Sequence, residues 1–220
     1  MSSSSGGWTL PSLGEMPDDP LWYHWHDRSS YFRIIPRGGN PLWFNPNTST
    51  DPADPLNGGR FHPFDSTLGG RVPTLYAASS LKAAISESPL LHDLPLTPTA
   101  HPLVLSMAKV AQYQYSVLGV VRELQLIDLT RLGSDRVRMP NELIAWCRRE
   151  DYPTSRSAAR LLHTKYPGAR GCRHTRSGWG GRFPEHLHSV AISIATSMSG
   201  SRRSNSARVS NTTRFSAIRQ

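Results

Sequence analysis

Prolines and glycines interrupt this chain so often that no long helix fits over most of its length. There are 18 prolines and 17 glycines in 220 residues. Proline removes a backbone donor and glycine weakens whatever regular element contains it. The length still allows a real core, since a domain of this size buries roughly 70% of its unfolded surface. A hydrophobic fraction of 37% is low for a helical bundle. The expectation is a loop-rich α+β protein, with a mixed, mostly antiparallel sheet core flanked by helices.

Hydrophobic period and turn residues divide the chain further. Residues 1–20 are rich in Ser, Gly, Pro and Asp and read as a flexible leader. Tyr31–Pro36 reads as a strand, ended by Pro36-Arg-Gly-Gly. The stretch 45–59 is too polar and too Pro/Gly-broken for regular structure, and a long loop in a compact domain is more often functional than idle. Val72–Ala77 predicts a strand leading into a helix over 80–88, with Ser79 or Ser80 as N-cap. Strands are expected over 102–107, 123–129 and 189–194, and helices over 141–149 and 153–165. The domain so defined runs from 21 to 195. Beyond it, 196–220 is a basic Ser/Arg-rich tail without periodicity, expected to be disordered.

Charge and cysteine content exclude several classes. The formal net charge is +9, but no acidic residue follows Glu185, and the tail alone holds Arg202, Arg203, Arg208, Arg214 and Arg219. Without those five the charge is 9 − 5 = +4, so the core domain need not bind nucleic acid. No apolar run approaches the ~18 residues that cross a bilayer. The N-terminus has no basic-then-apolar secretory pattern, and the protein is expected in the cytoplasm. Cys147 and Cys172 are too few for a disulfide framework and read as two reduced thiols. His24 and His26 share one side of an extended segment, but no third ligand is evident, so no metal is expected.

Four features carry chemistry. Arg33 is a cation on a short strand. Arg60 follows two glycines, and its planar fork suits phosphate oxygens bidentately. Tyr76 and Glu87 flank a strand-to-helix junction, with Glu87 on the edge of the helix's apolar face. Thr154, Ser155 and Ser157 cluster at a helix start, where backbone N–H groups favour an anion. Singly, each has a commoner structural explanation: a surface ion pair, a turn, a core aromatic, a solvated helix residue, a cap.

Taken together they resemble the RES domain, in which an Arg after an aromatic leads to Gly-Gly-Arg-aromatic, then Tyr-x-Ala, then Ala-x-x-Glu. Here these are Phe32-Arg33, Gly58-Gly59-Arg60-Phe61, Tyr76-Ala77-Ala78 and Ala84-Ile85-Ser86-Glu87. The resemblance covers roughly residues 30 to 170. It implies an ADP-ribosyltransferase-like fold and a toxin that cleaves the nicotinamide–ribose bond of NAD by hydrolysis or phosphorolysis. NAD is then substrate, inorganic phosphate a co-substrate in the second case, and no prosthetic group is needed. Glu87 and Arg60 are the implied catalytic pair, with Arg33, Arg60, Tyr76, Ser155 and Thr154 binding NAD or phosphate. A separately encoded antitoxin is the implied partner, and self-association is left open. The family's serine maps to Ser155 first and Thr154 next. The alternatives are an ADP-ribosyltransferase acting on a macromolecule, or an inactive basic nucleic-acid-binding protein.

Overall fold

The computed structural model describes residues 7–26, 30–44, 58–67, 69–88, 90, 105–120, 123–147, 149–176, 187–193 and 208–209. Its eight strands are β1 (Trp22–Trp25), β2 (Ser30–Pro36), β3 (Thr74–Ala78), β4 (Tyr113–Gly119), β5 (Leu124–Leu129), β6 (Gly171–Arg176), β7 (Leu187–Ser193) and β8 (Arg208–Val209). They form one sheet in the order β1-β5-β6-β7-β3-β2-β4-β8, antiparallel everywhere except β5–β6. The helices are α1 (Leu81–Ser86), α2 (Met107–Val110), α3 (Arg131–Arg136), α4 (Asn141–Trp146) and α5 (Tyr152–Lys165). The parallel pair needs a long crossover, and α3, α4 and α5 provide it. The architecture is α+β.

The sheet curls upon itself. β1 and β2 are far apart in the strand order, yet the Trp25 and Tyr31 rings pack together, tilted by 55° with centroids 3.8 Å apart, and the Tyr23 and Tyr31 hydroxyls meet at 3.2 Å. The concave side is lined by Trp25, Tyr31, Leu75, Ala77, Leu118 and Leu126. The opposite, convex side carries the larger core, where Ile127, Leu143, Ile144, Ala158 and Leu162 pack with Phe61 and Phe64. Strand alternation sorts the residues between the two sides. In β3, Leu75 and Ala77 face inward, while Tyr76 packs on the convex core. β2 and β3 are registered at a single pair, Phe32↔Ala78, and α1 covers that join through Ala83 and Ala84.

Several expectations are met. Ser80 caps α1, its hydroxyl accepting from the Ala83 N–H at 3.1 Å. The strands expected over 31–36, 72–77, 123–129 and 189–194 correspond to β2, β3, β5 and β7. Others need correction. The leader is not loose over its described part, since Met16 is buried in the convex core and Trp8 and Leu10 pack against it. The Trp8 indole donates to Asp151 at 3.0 Å, and the Tyr166 hydroxyl donates to the Pro17 carbonyl at 2.7 Å. Met107 starts a helix rather than ending a strand, because Ser106 caps it; residues 102–104 of that expected strand lie outside the described residues. Within the tail expected to be disordered, Arg208–Val209 pairs with β4. Residues 45–57 of the polar loop also lie outside the described residues.

Candidate functional site

The Gly-Gly-Arg-Phe block forms a tight turn in which the Gly59 N–H donates to the His62 carbonyl at 2.9 Å. Gly58 sits at φ 80, the left-handed region. A Cβ on Gly59 would come within 2.7 Å of the His62 ring and 3.3 Å of the Tyr76 hydroxyl. Both glycines are therefore required, one by conformation and one by close approach.

Three side chains from other elements hold this turn. The Tyr76 hydroxyl accepts from the Phe61 N–H at 3.0 Å and meets His62 Nδ1 at 2.9 Å. Burial pushes the Tyr76 phenol well above its ordinary range. Burial, with the charge of Arg156, lowers the His62 imidazole from 6.5 to about 4. Both groups are thus neutral at pH 7. The phenol proton then goes to Nδ1, which makes His62 the Nε2–H tautomer. From α5, the fully buried Ser155 donates to the Arg60 carbonyl, and Arg156 Nε donates to the Gly59 carbonyl at 3.3 Å.

The turn sets Arg60 in the convex core at 7% exposure. Its Nη1 donates to the Ile144 carbonyl at 2.8 Å, and its guanidinium lies 5.9 Å from the Phe61 ring centre. No ion pair to Arg60 occurs among the described residues. Glu87 lies at the C-cap of α1, with its backbone N–H on the Ala83 carbonyl at 3.0 Å. It is half-buried, and its Oε1 is buried.

The structure therefore gathers Arg60, Tyr76 and Ser155 around one turn, and sets Glu87 at the end of the helix that follows Tyr76. It does not bring Arg33 to them. Phe32 and Ala78 are cross-strand partners, so Phe32 shares the face of Tyr76, and Arg33 points to the concave side. There Arg33 Nη1 donates to the carbonyls of Pro41 at 2.5 Å and Trp43 at 3.0 Å. Burial lowers its guanidinium to about 10. Thr154 is half-buried and stands outside the Arg60 network. The start of α5 is a poor anion seat, because it carries Glu150 and Asp151, with Asp151 as N-cap. Ser155 acts here through the Arg60 backbone.

Sequence reasoning missed His62, Arg156 and the Arg173–Asp128 pair. His62 directly follows the Gly-Gly-Arg-Phe block, and Arg156 lies inside the helix start already singled out, so proximity to those motifs was the available signal. Arg173 lies 4.3 Å over the Tyr23 ring and reaches Asp128 at 3.4 Å on the concave side. Cys147 and Cys172 form no disulfide. Burial raises both thiols, Cys172 to about 12, so neither is a ready nucleophile. A cavity of about 40 Å³ behind Phe61 is lined by residues such as Phe64, Ile127, Leu162 and Cys172. No group of three or more His, Cys, Asp or Glu suited to a metal occurs among the described residues, and no helix among them is long and apolar enough to cross a membrane.

Comparison with known families places the chain. The RES domain model matches residues 31–173, and the chain belongs to that family. No curated protein and no solved structure matches it.

Proposed function

We propose that this protein is a RES-type toxin that cleaves the nicotinamide–ribose bond of NAD, with Glu87 and Arg60 carrying the reaction. The observation behind this reading is the environment of Arg60. A guanidinium at 7% exposure is held by a backbone carbonyl, without an ion pair among the described residues. Burying such a charge is costly unless an anion accompanies it. A pyrophosphate matches both its charge and its fork. Cleavage of the glycosidic bond develops positive charge on the ribose, and a nearby carboxylate stabilises that state more than the ground state. Glu87 is the carboxylate the family pattern assigns to this role. Tyr76, Ser155 and Arg156 fix the turn bearing Arg60 and so supply orientation. Ser155 is then a positioning residue, and Tyr76 serves by its hydroxyl as much as by its ring. An NAD-depleting enzyme in the cytoplasm implies a separately encoded antitoxin.

Incubation of the purified protein with NAD, with and without inorganic phosphate, separates the chemistries. ADP-ribose in both conditions means hydrolysis, and ADP-ribose-1″-phosphate appearing only with phosphate means phosphorolysis. Label on added macromolecules means transfer. Intact NAD under all conditions would overturn the reading.

A further inference from the structure

The described leader grips one helix at both of its ends. At the start of α5, the Trp8 indole N–H donates to Asp151 Oδ1 at 3.0 Å. At the other end, the Tyr166 hydroxyl donates to the Pro17 carbonyl at 2.7 Å, and Lys165 Nζ meets Asp18 Oδ1 at 2.6 Å. The helix is about 21 Å long. The chain from Trp8 to Pro17 can reach about 30 Å when extended, enough to bridge both ends and still hold a turn, in which the Glu15 N–H donates to the Ser12 carbonyl at 3.1 Å. Asp151 is the N-cap of α5, and an Asp there ordinarily accepts from the first N–H groups of its own helix. In α5 no such side-chain bond forms, and Oδ1 accepts from Trp8 instead. Asp151 and Ser155 are four residues apart, so they lie on one face of the helix, a turn from each other. Ser155 donates to the Arg60 carbonyl, and Arg156 beside it donates to the Gly59 carbonyl at 3.3 Å. A chain of contacts thus runs from the leader, through the start of α5, to the turn that carries Arg60.

We infer that Trp8 is a positioning residue, which through Asp151 fixes the start of α5 and thereby the turn carrying Arg60. Helix ends fray where nothing holds them, and Ser155 and Arg156 lie within the first two turns of α5. Met16 and Leu10 give the core apolar cover, which tolerates sliding. The Trp8 bond is directional and binds one carboxylate at one place. The hold on the turn does not depend on the NAD reading, whereas its consequence for turnover rests on that reading.

The test is the protonated fraction of His62 at pH 5, read by NMR on the full chain for the parent and for Trp8→Phe. The His62 signal is the one missing from His62→Asn. Phenylalanine keeps an aromatic ring against the core and removes the indole N–H. Burial and then the Arg156 charge lower the His62 imidazole to about 4, which leaves it about 10% protonated at pH 5. When the start of α5 is released, the Arg156 charge draws back from the turn, and that fraction should at least about double. Should Trp8→Phe fail to fold, Asp151→Ala breaks the same bond from the other side. Removing a negative charge would by itself lower the fraction, so a rise in that variant reports the displaced helix. NAD loss on the same samples reads the consequence, a fall in kcat/KM of at least about fivefold. An unchanged fraction in the folded variant, or parental kcat/KM beside a raised fraction, overturns the inference. A raised fraction with a parent that leaves NAD intact sinks only the proposed reaction.

Discussion

At the scale of single residues, the arrangement turns on the hydrogen bonds that hold the Arg60 turn. Tyr76→Phe removes the acceptor of the Phe61 N–H and the donor to His62. It should cost about 1–3 kcal/mol in urea unfolding, the usual effect of stranding buried polar groups. Ser155→Ala should cost a similar amount, about 1–3 kcal/mol, by leaving the Arg60 carbonyl without its donor. If urea midpoints for both variants match the parent, the clamp has no energetic meaning. Arg60 and Tyr76 were legible as site residues because glycines and a strand end mark them. The hydroxyl role of Tyr76 was not, because it depends on a turn fifteen residues upstream. Arg33 was legible as a cation on a short strand, but not which side of the sheet it faces. That follows from one registered pair between β2 and β3, and a shift of one residue would have reversed it.

At the scale of elements, the leader is the feature the sequence least advertised. Its Ser, Gly and Asp content reads as mobile, whereas Met16, Trp8 and Leu10 anchor it to the helical layer. Met16→Ala should destabilise by about 2–5 kcal/mol, as truncation of a buried side chain does. A melting temperature unchanged by that substitution would return the leader to a mobile role. The strands that went unread share a physical reason. In β4 the inward residues are Gln114, Ser116 and Leu118, two of them polar, so the alternation is inverted. In β6, Arg173 and His174 sit in the sheet interior under charged and polar disguise. α3 was hidden by Gly133, whose missing Cβ would lie 1.8 Å from the Asp128 carbonyl oxygen. Its helix packs too close to β5 for any other residue, and glycine lowers the helical signal. By contrast β2, β3, β5, α1 and α5 carry ordinary apolar periods and were read correctly.

At the scale of the whole molecule, stability should depend on pH through His62. Its folded imidazole is lowered from 6.5 to about 4, first by burial and then by Arg156. The unfolded chain therefore binds a proton more readily than the folded one across that interval. The stabilisation is fully present above pH 6.5 and is lost as pH falls toward 4, about 3 kcal/mol in all. His163, lowered by burial, acts in the same direction. Urea unfolding at pH 7.5 and pH 5 should show about 2 kcal/mol of this loss in the parent and a smaller one in His62→Asn; an equal loss in both would assign it elsewhere. The curled sheet, with helices and leader outside and aromatic and polar groups inside, makes Arg60 and Arg33 occupants of opposite sides. That separation was beyond any reading of local motifs. The central claim is nonetheless chemical, and one comparison tests it most directly: the rate of NAD loss for the parent and for Glu87→Gln, with melting temperatures taken in parallel. Glu87 caps a short helix through its backbone N–H, which glutamine retains. The account predicts NAD consumption by the parent, a fall of at least about 100-fold in the variant, and equal melting temperatures. A variant that consumes NAD at the parental rate would contradict it.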